Sequence, residues 1–233
     1  MGFFSNLMGQ KLLGTATIKF YGEDEASVEY ETGVSDKDQK ESDLMQLFAL
    51  YYAKMLYNLN RGEHADNLIV YIEQAAEKAM SKDLVGSSIE SRLHKEIEND
   101  VPEEWNKLLN ASKKSADRAN ILSSEQKLIE PKANGITKKY SGELYEKSNQ
   151  TRIVQTHMDT VGEGYYAPIS TIMFFQYLIN NLSESSLVFL SLIIRGMNQY
   201  YGKAGDYSNM RSIIEAPNYG FSVATQILQK SRE

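Results

Sequence analysis

The chain has 233 residues, 42% of them hydrophobic and 24% charged, enough to bury a core in one large domain or two small ones. It has no cysteine, which excludes disulfides, thiolate metal sites and a cysteine nucleophile. A net charge of −6 gives no electrostatic footing for nucleic acid, and no segment approaches the roughly 18 to 20 apolar residues of a spanning helix.

The N-terminal stretch, MGFFSNLMGQKLLG, would place Phe3, Phe4, Leu7, Met8 and Leu12 on one stripe of a short helix. Two uses suit such a foot: docking on the chain's own domain or a partner subunit, or attachment of residues 1–13 to a membrane surface. Lys11 is its sole cationic side chain, so attraction to anionic lipid is weak. The stretch lacks the charged start and cleavage site of a signal peptide, and Asn6 breaks the myristoylation pattern.

Residues 15–32 alternate as a β-hairpin, with Ile18 and Phe20 on one face, Val28, Tyr30 and Thr32 on another, and an acidic turn at Gly22–Glu25. The acids that follow, Asp36, Asp38, Glu41 and Asp43, are expected on a solvated face. Ser42 or Asp43 is expected to cap a helix to about Leu59, with Leu44, Phe48, Tyr51 and Met55 on one stripe. A second helix is expected from about Ala65 to Met80, with Leu68, Ile69, Ile72 and Ala76 inward. The pair resembles a tetratricopeptide unit, although the chain lacks that family's period of about 34 residues.

Residues 82–134 are more polar. Helices are expected over Ser88–Asn99 and from Asp100 toward Leu122, the second with Pro102 near its first turn and Trp105 as a packing anchor. Pro131–Gly135 breaks the pattern. Beyond it the earlier order returns: TIKFYGE (Thr17–Glu23) recurs as TKKYSGE (Thr137–Glu143), and a strand follows near Arg152–Thr156. A helix to Leu182 and an apolar segment from Leu187 come next. Tyr51-Tyr52 then corresponds to Phe174-Phe175, and Asn58-Leu59 to Asn181-Leu182.

The expected fold class is α+β, predominantly helical, with a candidate internal duplication. A first β-hairpin–αα unit would span 14–81, a helical insert 82–134, and a second unit 135–233. The last includes C-terminal helices near Tyr207–Glu215 and Ser222–Lys230, separated by Pro217–Gly220. The hairpins would share a sheet, making 1–233 one domain.

Two motifs touch on chemistry. His157–Val161 (HMDTV) resembles the zinc-binding segment of the peptidase family related to aminoacylases and certain carboxypeptidases. The resemblance implies His157 as a zinc ligand and Asp159 as its orienting carboxylate. The chain departs from that family elsewhere: its Glu103-Glu104 pair lies upstream, and no glycine-rich segment with a bridging Asp follows. A hydrolytic metal site needs several converging ligands, and His64, His94 and His157 are scattered. Asp159 therefore reads better as a turn or cap residue, and no metal is assigned.

Gly162–Ala167 (GEGYYA) fits the dinucleotide pattern G-x-G-x-x-A between a strand and a helix, which would set Gly162 and Gly164 against a pyrophosphate. That requires Leu187–Ile194 to be the second strand of a βαβ unit; its periodicity leaves helix or strand open. The polar residues Thr156–Thr160 separate strand from glycines, and no acid closes the would-be second strand. Gly202-Lys203 lacks the hydroxyl residue of a phosphate loop, Ala204 standing in its place.

The leading expectation is a non-catalytic intracellular, cytoplasmic protein-interaction module of adaptor, regulator or toxin-neutralising type, with no catalytic residue and no cofactor. Fifteen tyrosines suit interfaces, and the acidic hairpin favours a basic protein partner. A homo-oligomer is also open. The alternatives are a nucleotide-binding protein or small enzyme using Gly162–Ala167, and a peripheral membrane protein held through residues 1–13.

Overall fold

The computed structural model describes residues 10–21, 25–59, 63–83, 127–128, 138–150, 152–158, 166–204 and 209–230. Strands β1 (Gln10–Tyr21) and β2 (Glu25–Thr32) form the first hairpin, and β4 (Lys138–Lys147) and β5 (Arg152–Met158) the second. β1 pairs antiparallel with β4, which joins the hairpins, and a two-residue strand β3 (Lys127–Leu128) runs parallel to β2. The sheet order is β3-β2-β1-β4-β5. The helices are α1 (Lys37–Leu59), α2 (Glu63–Asp83), α3 (Tyr166–Asn181), α4 (Glu184–Ala204) and α5 (Ser212–Lys230). The fold is α+β and predominantly helical.

One sheet face is apolar because strand parity puts Ala16, Ile18 and Phe20 of β1 beside Tyr140 and Leu144 of β4, all buried. Ile18 pairs directly with Val28, so Val28 and Tyr30 belong to this same inward face rather than a separate one. Near the start of β1 the register shifts between Leu12 and Gly14, turning Leu13 inward and leaving Leu12 45% exposed. Leu12 thus belongs to a strand, not to an amphipathic N-terminal helix; the rest of that apolar stripe, Phe3 to Met8, lies outside the described residues.

α1 and α3 lie against the sheet, and each crosses to the other hairpin: α1 contacts β4 and β5 as well as β1, whereas α3 contacts β1 and β2. α2 and α5 pack on α4, and both also touch α1. The order hairpin, helix, helix thus occurs twice among the described elements, and each first helix lies partly against the other hairpin; this order does not by itself establish an internal duplication. Residues matched between the halves meet in the core: the Tyr51 ring lies 5.6 Å from that of Phe174, and Phe48 lies 5.3 Å from Phe174 and 5.4 Å from Phe175. The expected helices of the insert, with Trp105, lie outside the described residues.

Three expectations are corrected. α1 begins six residues before Asp43, because Asp36 caps it: Asp36 Oδ1 accepts from the Gln39 amide at 2.8 Å. Glu41 and Asp43 are buried, not solvated, since this earlier start turns them inward. The C-terminal tail is one helix from Ser212 with Pro217 inside it, not two. Its first turn is anchored by Asn209, whose carbonyl accepts from both the Ser212 amide (2.9 Å) and the Ser212 hydroxyl (2.6 Å). Past Pro217, continuity follows from packing. A Cβ on Gly220 would stand 2.5 Å from the Ile193 carbonyl, and one on Gly196 would stand 2.7 Å from the Gly220 Cα. The two glycines let α4 and α5 cross in close contact, and an uninterrupted helix is what fills that crossing.

Gly220→Ala should on propensity alone stabilise α5 by about 1 kcal/mol. We expect the opposite sign, a loss of about 1–3 kcal/mol from overpacking. Gly33→Ala, where a new Cβ meets nothing within 4 Å, should change stability by less than about 0.5 kcal/mol. Urea denaturation of the three proteins measures both.

Candidate functional site

Where β5 leaves the β4–β5 turn, a cleft of about 380 Å³ opens between the sheet edge and the helices. α1 contributes Gln46 and Leu50, and α5 contributes Ile214, Pro217, Asn218 and Phe221. The turn and the start of β5 add Gln150 and Arg152. Gln150 sits at a φ of 63°, and its amide donates to the Lys147 carbonyl at 2.8 Å, closing the turn. Ile214, in the lining, keeps 56% of its surface exposed.

Arg152 has the same strand parity as Val154, which packs on the core, so its side chain points toward α1. There its Nη1 donates to Asp43 Oδ1 at 2.8 Å and to Gln46 Oε1 at 2.6 Å. Gln39 Nε2 donates to the same Asp43 oxygen at 2.7 Å. Asp43 is fully buried, and its Oδ2 has no hydrogen-bond partner among the described residues. The Nε–H and second amino group of Arg152 likewise have none among the described residues, which leaves three guanidinium donors uncommitted at the cleft.

A second polar cluster lies inside the helical layers. The Tyr52 hydroxyl donates to Asn198 Oδ1 at 2.9 Å, and Asn198 Nδ2 donates to Glu73 Oε2 at 3.3 Å. Burial pushes the Glu73 carboxyl from 4.5 up to about 7, helped by the charge of Glu77 and opposed by Asn198 and Arg195. Tyr51 makes a separate buried hydrogen bond to Ser170 at 2.8 Å, and burial raises its hydroxyl well above the usual phenol range.

His157 lies on the outer face of β5, opposite Ser141, with 61% of its side chain exposed. Its Nε2 is 3.5 Å from Glu143 Oε2, an oxygen that also accepts from the Tyr145 hydroxyl at 2.7 Å. Partial burial, and then the Glu143 carboxylate, push Tyr145 up to about 12. These three side chains stand on a sheet face and not in the cleft. No group of three or more potential metal-ligating side chains occurs among the described residues. Asp159, Gly162 and Gly164 lie outside the described residues. The second strand that a dinucleotide unit would need is absent there, because Leu187–Ile194 lies within helix α4.

The cleft residues escaped the sequence reading, yet a signal for them existed. Asp43 and Gln46 sit three apart on the apolar face of a helix, and Arg152 occupies an inward position of a strand. A buried acid on one element and an inward arginine on another invite pairing. Comparison of the chain with protein-family models, with curated proteins and with solved structures found no match.

Two predictions follow from these clusters. Arg152→Leu strands the buried Asp43 carboxylate and should cost about 3–5 kcal/mol. The double variant Asp43→Leu/Arg152→Leu should cost less than that single change, a comparison that chemical denaturation makes directly. Glu73 binds its proton more tightly when folded, so its contribution to stability is complete below pH 4.5 and is lost as pH rises through about 7. Relative to Glu73→Gln, wild type should therefore lose up to about 3 kcal/mol over that interval, read from thermal or urea unfolding at each pH.

Proposed function

We propose that the protein is a non-catalytic protein-interaction module and that the cleft beside Arg152 is its docking surface. The observation that carries this reading is the largely exposed Ile214 in a concavity also lined by Leu50, Pro217 and Phe221. Apolar side chains gathered at a concave surface offer a contact site for a partner's apolar group. The walls come from α1 and α5, whose positions are fixed by core packing, so the surface is preformed and a partner need not order it. Acidic residues of the first hairpin, such as Glu31, are proposed to steer a basic partner toward the molecule. No described helix is long and apolar enough to cross a membrane.

A photo-reactive amino acid at position 214, introduced in the native cell, should yield a covalent adduct of one defined mass. The same group at the exposed Asp66 of α2 should not. Equal labelling at both positions, or none at 214, would remove the cleft as the docking surface.

A further inference from the structure

Helix α2 is held differently along its two halves. Its large apolar side chains Leu68, Ile69, Val70, Tyr71 and Ile72 are buried and all precede Glu73. Beyond Glu73 its described apolar side chains are the small Ala75 and Ala76. The principal contacts of α2 are with α4 and α3, not with the sheet. Facing its second half, α4 presents a polar stripe: Ser191, Arg195 and Asn198 stand at helical spacing and all are buried. Two alanines over a polar stripe lose little hydrophobic energy when water enters between them.

The hydrogen bonds of α2 to its neighbours are long. Asn198 Nδ2 reaches Glu73 Oε2 at 3.3 Å, Ser191 Oγ reaches the Ala76 carbonyl at 3.5 Å, and Gln176 Nε2 of α3 reaches the Tyr71 hydroxyl at 3.3 Å. The bonds of α1 to α3 and α4, from Tyr51 and Tyr52, are 2.8 and 2.9 Å. Glu73 lies in the weaker contact and keeps part of its surface at the edge. From α4 it faces Arg195 and the Asn198 amide, and behind Asn198 stands the Tyr52 hydroxyl of α1. Glu77 follows one turn along α2, and α3 supplies the uncharged Gln176. Arg195 attracts the ionised carboxylate, but burial and Glu77 outweigh it, so the docked helix favours the neutral acid. An acid of this kind is neutral in water only below about 4.5, and in the docked helix up to about 7. Docking is therefore strongest below the first value, weakens as pH rises, and is loosest above the second.

We infer that the half of α2 from Glu73 to Asp83 is a pH-responsive clasp: it lies on the Ser191, Arg195 and Asn198 stripe of α4 when Glu73 is neutral, and lifts from it about a hinge after Ile72 when Glu73 is ionised. The apolar half of α2, the sheet and the crossing of α4 with α5 stay in place. The clasp is independent of the cleft, to whose lining α2 contributes nothing.

The test is native-state hydrogen exchange on the full-length chain, corrected for the intrinsic pH dependence of amide exchange. Between pH 5.5 and 7.5 the opening equilibrium of amides 77–83, whose helical bonds begin at Glu73, should rise at least about tenfold. At pH 7.5 these amides should exchange at least about tenfold faster than buried amides of α1 and α4, and insensitively to low urea, the mark of local opening. Glu73→Gln should abolish the rise. An absent rise overturns the inference, as does a rise that persists in Glu73→Gln. Exchange of 77–83 in step with α1 at every urea concentration also overturns it, since Glu73 then acts only on global unfolding. Should Glu73→Gln fail to fold, Glu77→Gln decides: it should move the rise to lower pH, and an unmoved rise ends the proposal.

Discussion

Helix α1 is buried along one side, and most of the polar groups on that side are paired inside the protein. It touches three strands and all four other described helices, and twelve of its 23 residues are buried. A buried polar group without a partner costs on the order of 1–3 kcal/mol, and a charge costs more. The partners that α1 finds are distant in sequence. Asp43 takes Arg152, Glu41 takes Ser183, Tyr51 takes Ser170 and Tyr52 takes Asn198, at separations of 109, 142, 119 and 146 residues. Every one belongs to the second half of the chain. The same bonds that satisfy α1 thus fasten the halves together, and Gly142 completes the fit by leaving room for the Tyr51 ring, which a Cβ there would meet at 2.8 Å.

The candidate site is a by-product of that enclosure. Arg152 is drawn inward to neutralise Asp43, which pins the start of β5 beneath α1. α5 is held elsewhere, by its glycine crossing with α4, so it stands off from the sheet edge rather than covering it. The cleft is the space left between two elements that both pack on α1. It is lined by residues whose main duties are structural: Arg152 pairs, Pro217 packs, and Gln150 turns the chain. A surface assembled in this way carries no motif, because its members lie on separate elements and each satisfies a local need first.

The two motifs that did stand out in the sequence are local. HMDTV places His157 on a strand end facing out of the sheet, near one carboxylate and one phenol. The glycine pattern Gly162–Ala167 leads toward α3, whose successor is a helix and not a strand. Short patterns of this kind depend on context for their meaning, and the context, antiparallel strands followed by packed helices, differs from a βαβ crossover.

The sequence by itself determined the fold class and the existence of the hairpins and of the first two helices. Alternation in 15–32 pointed to strands because period-2 burial suits a sheet, the likeness of Thr137–Glu143 to Thr17–Glu23 pointed to a second strand set, and the spacing of Leu44, Phe48, Tyr51 and Met55 pointed to a helix. The two hairpins and the helices that follow them are local patterns. Asp36 as the true cap, the inward turn of Glu41 and Asp43, and the continuous helix through Pro217 were not legible. A cap, a buried acid and a proline each have a strong local preference, and tertiary contacts overrode the last two with partners or neighbours far along the chain. Tertiary structure alone decided the pairing of β1 with β4, the exchange of helices between hairpins, and the groove between β5 and α5. Each depends on residues far apart in the chain, more than a hundred positions for β1 with β4 and for Asp43 with Arg152, whose proximity no local period encodes.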